Sequence, residues 1–186
     1  MTFPEPAAAR PRKSKTRDIR LTVEIKAPPD NIYKALTSAR ELCRWWLAGA
    51  ETDARNTGRL RLVWPKLKAA DSGRSFPPHT AVGESEGFFV DLEPGRKVAW
   101  MWKLPRNKKN IPPLSSIFIR PHGRSCEVTL LHGGFPSRPS SAKFVDGCAQ
   151  GWEDCLSKLK LYLETGRTCK NQALSFSALT ELLKKK

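Results

Sequence analysis

Residues 142–166 read AKFVDGCAQGWEDCLSKLKLYLETG, and this stretch decides the fold. Its apolar side chains recur three or four residues apart, and its polar side chains fall between them on the opposite side. The apolar stripe consists of Val145, Cys148, Trp152, Cys155, Leu156, Leu159 and Leu163. The polar side consists of Asp146, Gln150, Glu153, Asp154, Lys158 and Lys160. Gly166 follows where a left-handed residue often ends a helix, so the pattern predicts one long amphipathic helix over 142–165.

The chain before this helix has the period of β-strands. From Ile19 to Lys26 apolar and polar residues alternate strictly, which is typical of a strand with one face in water. Two short helices are predicted next, around 32–36 and 39–46, the second opened by the capping-box pattern Ser38-Ala39-Arg40-Glu41. Further strands are predicted at 59–64, 84–92, 98–104, 115–120 and 126–132.

The order of these elements predicts an α+β fold. Strands and helices do not alternate along the chain, so a parallel sheet is not expected. An antiparallel sheet with one apolar face needs a cover, and the one long amphipathic element is residues 142–165. We therefore expect this helix to lie across the sheet.

The bulk composition indicates a single soluble domain. The 186 residues suit one core, and no apolar run approaches the roughly 20 residues that cross a bilayer. The N-terminal stretch lacks the apolar segment of a secretory signal, so we expect a cytoplasmic protein. The five cysteines are scattered without a Cys-x-x-Cys pair, which favours reduced and mostly buried thiols over a disulfide framework or a zinc site.

The net charge of +15 is concentrated at the two ends of the chain. Residues 1–17 and 167–186 each carry +4, which leaves +7 for residues 18–166. We expect 1–17 to be a disordered basic tail, 18–166 to be the domain, and 167–186 to be a flexible basic extension with a weak helical pattern from Leu174 to Leu183. Such ends could bind nucleic acid or an anionic membrane through counterion release, or simply aid solubility.

Several short stretches, in order, resemble one family. They are VEIKAP (23–28), IYKALT (32–37), LCRWW (42–46), GRLR (58–61), VDLEP (90–94), VAW (98–100), VTLLHGGFP (128–136) and GW (151–152), followed by Leu156, Leu159 and YLE (162–164). Together they resemble the START-like (SRPBCC) superfamily, and within it the branch named after the activator of heat-shock protein 90 ATPase. The loops at 65–78 and 105–113 and both ends depart from the family pattern.

The resemblance implies a helix-grip fold, in which a curved antiparallel sheet of six to seven strands wraps around the long helix. It also implies a cavity between helix and sheet that holds a small hydrophobic molecule. The residues we expect to line it are Trp45, Trp46, Trp64, Glu84, Glu86, Phe88, Trp100, Trp102, Phe118, Trp152, Cys155 and Leu156. The alternative for the aromatic residues is simple core packing. A chaperone-binding or other protein-interaction role is the alternative function that the family name suggests.

Two carboxylates and three histidines are the candidates for acid–base or metal chemistry. Glu84 and Glu86 share parity with Phe88, so a regular strand aims them at the cavity mouth with raised pKa values, whereas a bulge near Gly83 or Gly87 turns them outward. The three histidines, His79, His122 and His132, have no acidic or cysteine partner at catalytic or ligand spacing. We therefore expect no catalytic residue, metal or cofactor, and the oligomeric state stays open.

Overall fold

The strands predicted from alternation form one antiparallel sheet. The computed structural model describes residues 16–66, 83–103 and 114–184. The strands are β1 (Thr16–Ile25), β2 (Gly49–Thr52), β3 (Arg59–Val63), β4 (Glu84–Glu93), β5 (Lys97–Trp102), β6 (Leu114–His122) and β7 (Ser125–Pro136). Their order in the sheet is β1-β7-β6-β5-β4-β3-β2. The prediction of six to seven strands is confirmed.

Four helices accompany the sheet. They are α1 (Pro29–Thr37), α2 (Ala39–Trp45), α3 (Ala142–Thr165) and α4 (Phe176–Lys184), with a short 3-10 turn at Pro139–Ser141 before α3. The long helix α3 has the predicted bounds and ends at Gly166, which has a φ of 71° and whose N–H bonds to the carbonyl of Tyr162. This glycine ends the helix because a left-handed backbone carries no Cβ penalty there.

The apolar stripe of α3 packs on the inner face of the sheet. Trp152, Cys155, Leu156 and Leu159 are buried in one core. The residues that the sheet contributes to this core are Ile19, Ile25, Leu60, Leu62, Trp64, Phe89, Val98, Trp100, Ile117, Ile119, Cys126, Val128, Leu130 and Phe135. The predicted α+β helix-grip arrangement, with α3 across the sheet and two short helices after the first strand, is confirmed.

In the first half of β4, the side chains face the opposite sides of the sheet from those predicted. Phe89 is 1% exposed, whereas Phe88 is 40% exposed on the outer face. The cause is a bulge: Phe89 is paired with Trp100 and Asp91 with Ala99, so Val90 is an extra residue. The bulge reverses which side chains face inward, and only Leu92, beyond it, lies against the core as predicted. Glu84, Glu86 and Phe88, before it, therefore point outward.

Phe118 on β6 is also on the opposite face from the one predicted. Its neighbours Ile117 and Ile119 are buried in the core, so alternation places Phe118 on the outer face. There the Nζ of Lys97 lies 5.6 Å from the centroid of its ring. Because both faces of β6 carry apolar residues, the sequence did not separate them.

The C-terminal extension packs against the side of α3 that faces away from the sheet. Asp154 and Lys158 belong to the polar side of α3, yet both are buried. Leu161, Leu174 and Leu179 form a second small core there. The weak helical pattern from Leu174 to Leu183 corresponds to α4, and an apolar contact and buried hydrogen bonds join residues 167–184 to α3.

Some expectations fall on parts of the chain outside the described residues. These are the tail up to residue 15, His79 and most of the loop at 65–78, Leu104 with the loop at 105–113, and the last two lysines. The electrostatic role of the two ends therefore stays a prediction. Within the described residues, no helix is both long enough and apolar enough to span a membrane.

Candidate functional site

All six tryptophans of the chain form one connected group of rings. Trp46 lies 5.0 Å from Trp64 and 6.4 Å from Trp152, measured between ring centroids. Trp152 in turn lies 5.7 Å from Trp100. Trp45 stacks on Trp46 at 5.4 Å, and Trp102 meets Trp100 edge-on at 6.1 Å. These spacings are in the range in which aromatic pairs attract each other beyond simple burial.

Hydrogen bonds orient three of these rings. Trp45 donates its indole N–H to the carbonyl of Ala35 at 3.0 Å, which ties α2 to α1. Trp64, just after β3, donates to Ser85 Oγ at 3.2 Å. Trp152 donates to His132 Nδ1 at 2.7 Å and so joins α3 to β7. A buried indole N–H needs such a partner, and these three have one.

The structure brings together most of the predicted lining residues. Trp46, Trp64, Trp100 and Trp152 lie between α3 and the sheet, and Cys155 and Leu156 follow Trp152 on the same helix. Trp45 was expected with Trp46 at the rim, but both are buried. Trp102 is half-buried at the end of β5 and packs against the core.

Glu84, Glu86 and Phe118 lie on the outer face, away from this group. Arg61 bonds Glu84, and the Nζ of Lys103 bonds Glu86 Oε2 at 2.9 Å. The hydrogen bond and the charge of Lys103 lower the pKa of the Glu86 carboxyl. The expectation of an inward carboxylate pair with raised pKa values is therefore wrong in placement, and for Glu86 also in the direction of the shift.

A row of polar groups on the inner face was missed from the sequence. Trp100, Ser115 and His132 are cross-strand neighbours on β5, β6 and β7. All three side chains are buried. Among the described residues, Trp100 Nε1 and Ser115 Oγ have no hydrogen-bond partner. The signal was present in the sequence: Ser115 is two residues before Ile117 and His132 is two residues after Leu130, so strand alternation places both on the inner face.

Two cysteines of α3 lie in the same interior. Burial raises the pKa of the Cys148 thiol to about 12. Burial also raises the pKa of Cys155 well above its usual value. Both thiols stay protonated at neutral pH, so they pack as small apolar groups. All five cysteines are free thiols.

The outer face carries an apolar row beside a charged groove. Phe88, Met101 and Leu114 are register neighbours across β4, β5 and β6. Phe88 and Leu114 are each 40% exposed. The groove next to them has a volume of about 420 Å³, and its wall includes Arg59, Arg61, Glu86, Phe88 and Lys103. Exposed apolar groups that adjoin one another often mark a contact surface.

Comparison with known proteins identifies the family. The family described as activator of Hsp90 ATPase homolog 1-like protein matches residues 26–164. The chain belongs to this family. The match ends with α3, so the C-terminal extension lies beyond the part that family members share. No curated protein matches the chain significantly in sequence.

Several solved structures share the fold of this family member. The Aha1 dimer from Colwellia psychrerythraea is 21% identical, with a TM-score of 0.62, and covers 81% of this chain and 98% of its own. A protein from Mesorhizobium loti is 19% identical, with a TM-score of 0.62, and covers 81% and 99%. An HSP90 activator from Plasmodium falciparum is 20% identical, with a TM-score of 0.53, and covers 73% and 86%. At these identities the likeness is one of fold alone.

Proposed function

We propose that this chain binds a small hydrophobic molecule between α3 and the inner face of the sheet, without catalysing a reaction. The observation that carries the proposal is the convergence of Trp46, Trp64, Trp100 and Trp152 on this one interior. Ligand sites in proteins are mostly apolar and aromatic, with a few polar groups that fix orientation. The tryptophan group supplies the apolar and aromatic lining, and Trp100, Ser115 and His132 supply the polar groups.

The titratable groups in this interior suit binding rather than catalysis. Cys148 and Cys155 are held as thiols by burial, and a thiol is a poor nucleophile. His132 accepts the hydrogen bond of Trp152 at Nδ1. That nitrogen is therefore engaged in holding α3 on β7 and is not available to take a proton from a substrate.

Retinol tests this proposal, because its absorption overlaps tryptophan emission and it quenches nearby rings by energy transfer. We expect saturable quenching and a rise in melting temperature with retinol concentration, as for any ligand that binds only the folded state. Trp152→Phe should weaken binding, whereas Leu114→Glu on the outer face should not. Absence of quenching, or quenching lost in Leu114→Glu and kept in Trp152→Phe, would contradict an interior site.

A second function, interaction with a protein partner, is favoured by the outer face. The row of Phe88, Met101 and Leu114 offers adjoining apolar side chains on a sheet face with no cover among the described residues. The solved relative from Plasmodium falciparum is an HSP90 activator, so an Hsp90 chaperone is the partner to test first. We propose that the chain raises the ATPase rate of such a chaperone through this row.

Leu114→Glu and Ala178→Glu form a matched pair for that test. Both add one carboxylate at an exposed position, but Ala178 lies on α4, away from the outer face. Leu114→Glu should abolish the stimulation of ATPase activity, and Ala178→Glu should leave it intact. If the unmodified chain neither binds the chaperone in calorimetry nor changes its ATPase rate, this second function is wrong.

A further inference from the structure

Three inward residues on neighbouring strands form a short polar row beneath α3. Trp100 on β5 is paired with Ser115 on β6, and Ser115 is paired with His132 on β7. Residues directly opposite each other in an antiparallel sheet have Cβ atoms about 4.5–5.5 Å apart. The ring of Trp152 on α3 meets both ends of the row, at 5.7 Å from Trp100 and 5.6 Å from His132.

Some polar groups in and around this row have hydrogen-bond partners, and two of the described ones have none. Trp152 donates to His132 Nδ1, and Trp45 and Trp64 also donate to protein atoms. Trp100 is 3% exposed and Ser115 is 0% exposed, yet among the described residues neither Trp100 Nε1 nor Ser115 Oγ has a partner. Buried polar groups in folded proteins nearly always have one, and an exception calls for a specific reason.

We infer that Trp100 Nε1 and Ser115 Oγ are the polar anchor for an oxygen atom of the bound molecule. This inference rests on the proposed interior site and names the chemistry that the site recognises. An indole N–H can only donate, so the ligand must offer an acceptor. A serine hydroxyl can donate to a second lone pair of the same oxygen or accept from a ligand hydroxyl. Carbonyl and hydroxyl oxygens meet both requirements.

The surroundings define the rest of the ligand. Trp152 and Trp100 present ring faces and edges, which suit a flat ring system. A carboxylate in this interior would lose its hydration, and the groups around it are neutral indoles, a hydroxyl and an imidazole whose Nδ1 is an acceptor. The ligand class is therefore a neutral cyclic compound with one ketone, aldehyde or hydroxyl oxygen at its edge.

The probes 1-indanone and indane test this directly, since they share a ring skeleton and differ only in the carbonyl. We expect 1-indanone to bind roughly two- to tenfold more tightly than indane, the increment of one ordinary hydrogen bond. In a ¹⁵N-labelled sample, 1-indanone should shift the indole N–H resonance of Trp100, assigned as the signal missing from Trp100→Phe. Indane should shift it much less.

Ser115→Ala and Ser116→Ala complete the test. Ser115→Ala removes a hydroxyl without leaving a large cavity, and it should narrow the difference in affinity between the two probes. Ser116→Ala makes the same change at the next residue of β6, which alternation places on the outer face, and it should leave that difference unchanged.

The outcomes separate this inference from the proposed function. Equal affinity of both probes in the unmodified chain, or a preference for 1-indanone that survives in Ser115→Ala and Trp100→Phe alike, overturns the anchor and leaves the interior site standing. If neither probe binds at millimolar concentration while retinol does, the anchor is likewise wrong. If none of the three compounds binds, both the anchor and the interior site are wrong.

Discussion

The carboxylate of Asp154 on α3 accepts the backbone N–H of Leu174 at 2.7 Å, in a hydrogen bond that is buried. Its other oxygen accepts a hydrogen bond from the Nζ of Lys158, one helical turn away, at 2.8 Å. Lys158 also reaches the carbonyl of Lys170 at 3.3 Å. One buried ion pair thus joins the long helix to the segment that follows it.

Asp154→Ala should destabilise the protein strongly. The change leaves the Lys158 ammonium, 3% exposed, without its carboxylate, and breaking a buried pair costs about 3–5 kcal/mol. Urea unfolding should show this loss. Glu181→Ala removes one partner of the exposed Lys184–Glu181 pair and should cost less than about 1 kcal/mol. Equal effects of the two changes would mean that Asp154 and Lys158 are solvated.

Phe88 and Phe89 test the bulge in β4, because they are adjacent and chemically identical. Phe89→Ala empties a core position and should lower the free energy of unfolding by about 3–5 kcal/mol. Phe88→Ala alters an exposed side chain and should cost about 1 kcal/mol or less. Denaturant melts of the two variants compare them directly. If Phe88→Ala lowered the free energy of unfolding more than Phe89→Ala, Phe88 would face the core, as expected for a β4 without a bulge.

Cys148 should make stability depend on alkaline pH. Burial raises its pKa from 9.0 to about 12, so above pH 9 the unfolded chain releases the thiol proton while the folded chain keeps it. Folding is then linked to proton uptake, and stability falls as pH rises through this window. Between pH 8 and 10.5 the contribution lost is about 2 kcal/mol.

Other groups titrate in the same range, so the measurement must be a difference. Urea unfolding of the unmodified chain and of Cys148→Ala should be compared at pH 8 and pH 10.5. The stability gap between them should shrink at the higher pH. A gap that stays constant would show that this thiol ionises in the folded protein as it does in the unfolded chain.

Glu84 and Glu86 should be irrelevant to the interior site. Both carboxylates pair with cations on the outer face, so the double change to Gln should leave the affinity for retinol and its pH dependence unaltered. The same titration used for Trp152→Phe measures it. An altered affinity would mean that the carboxylates reach the ligand after all.

The fold could be predicted because its main helix and several strands have sequence patterns that repeat over many residues. The stripe on α3 covers about five turns. Apolar and polar residues alternate in β1 from Ile19 and in β3, and valine or tryptophan occupies every second position of β5. The inner faces of these strands were therefore predicted correctly. The bulge at Val90 was not predictable in this way. Val90 is apolar and stands midway between Phe88 and Leu92, so the sequence alternates as it would in a regular strand. The short strand Gly49–Thr52 has no alternation to detect.

The apolar part of the candidate site was predicted from the sequence, and its polar part was not. Trp64, Trp100 and Trp152 follow from parity and helical spacing. Ser115 and His132 follow from the same parity, but a serine or histidine in a strand does not by itself signal a buried partner for a tryptophan. The burial of Asp154 and Lys158 depends on a contact with residues 170–174, which no local pattern contains.

The covering of α3 from two sides has a consequence for how the molecule opens. The sheet shields one side of this helix, and residues 167–184 shield part of the other. Amide hydrogens between Asp154 and Leu161 should therefore exchange with solvent only when the whole domain unfolds. Those of α1, which exposes Asp30, Asn31 and Lys34, should exchange through local fluctuations. We then expect residues 154–161 to be among the most slowly opening parts of the described structure.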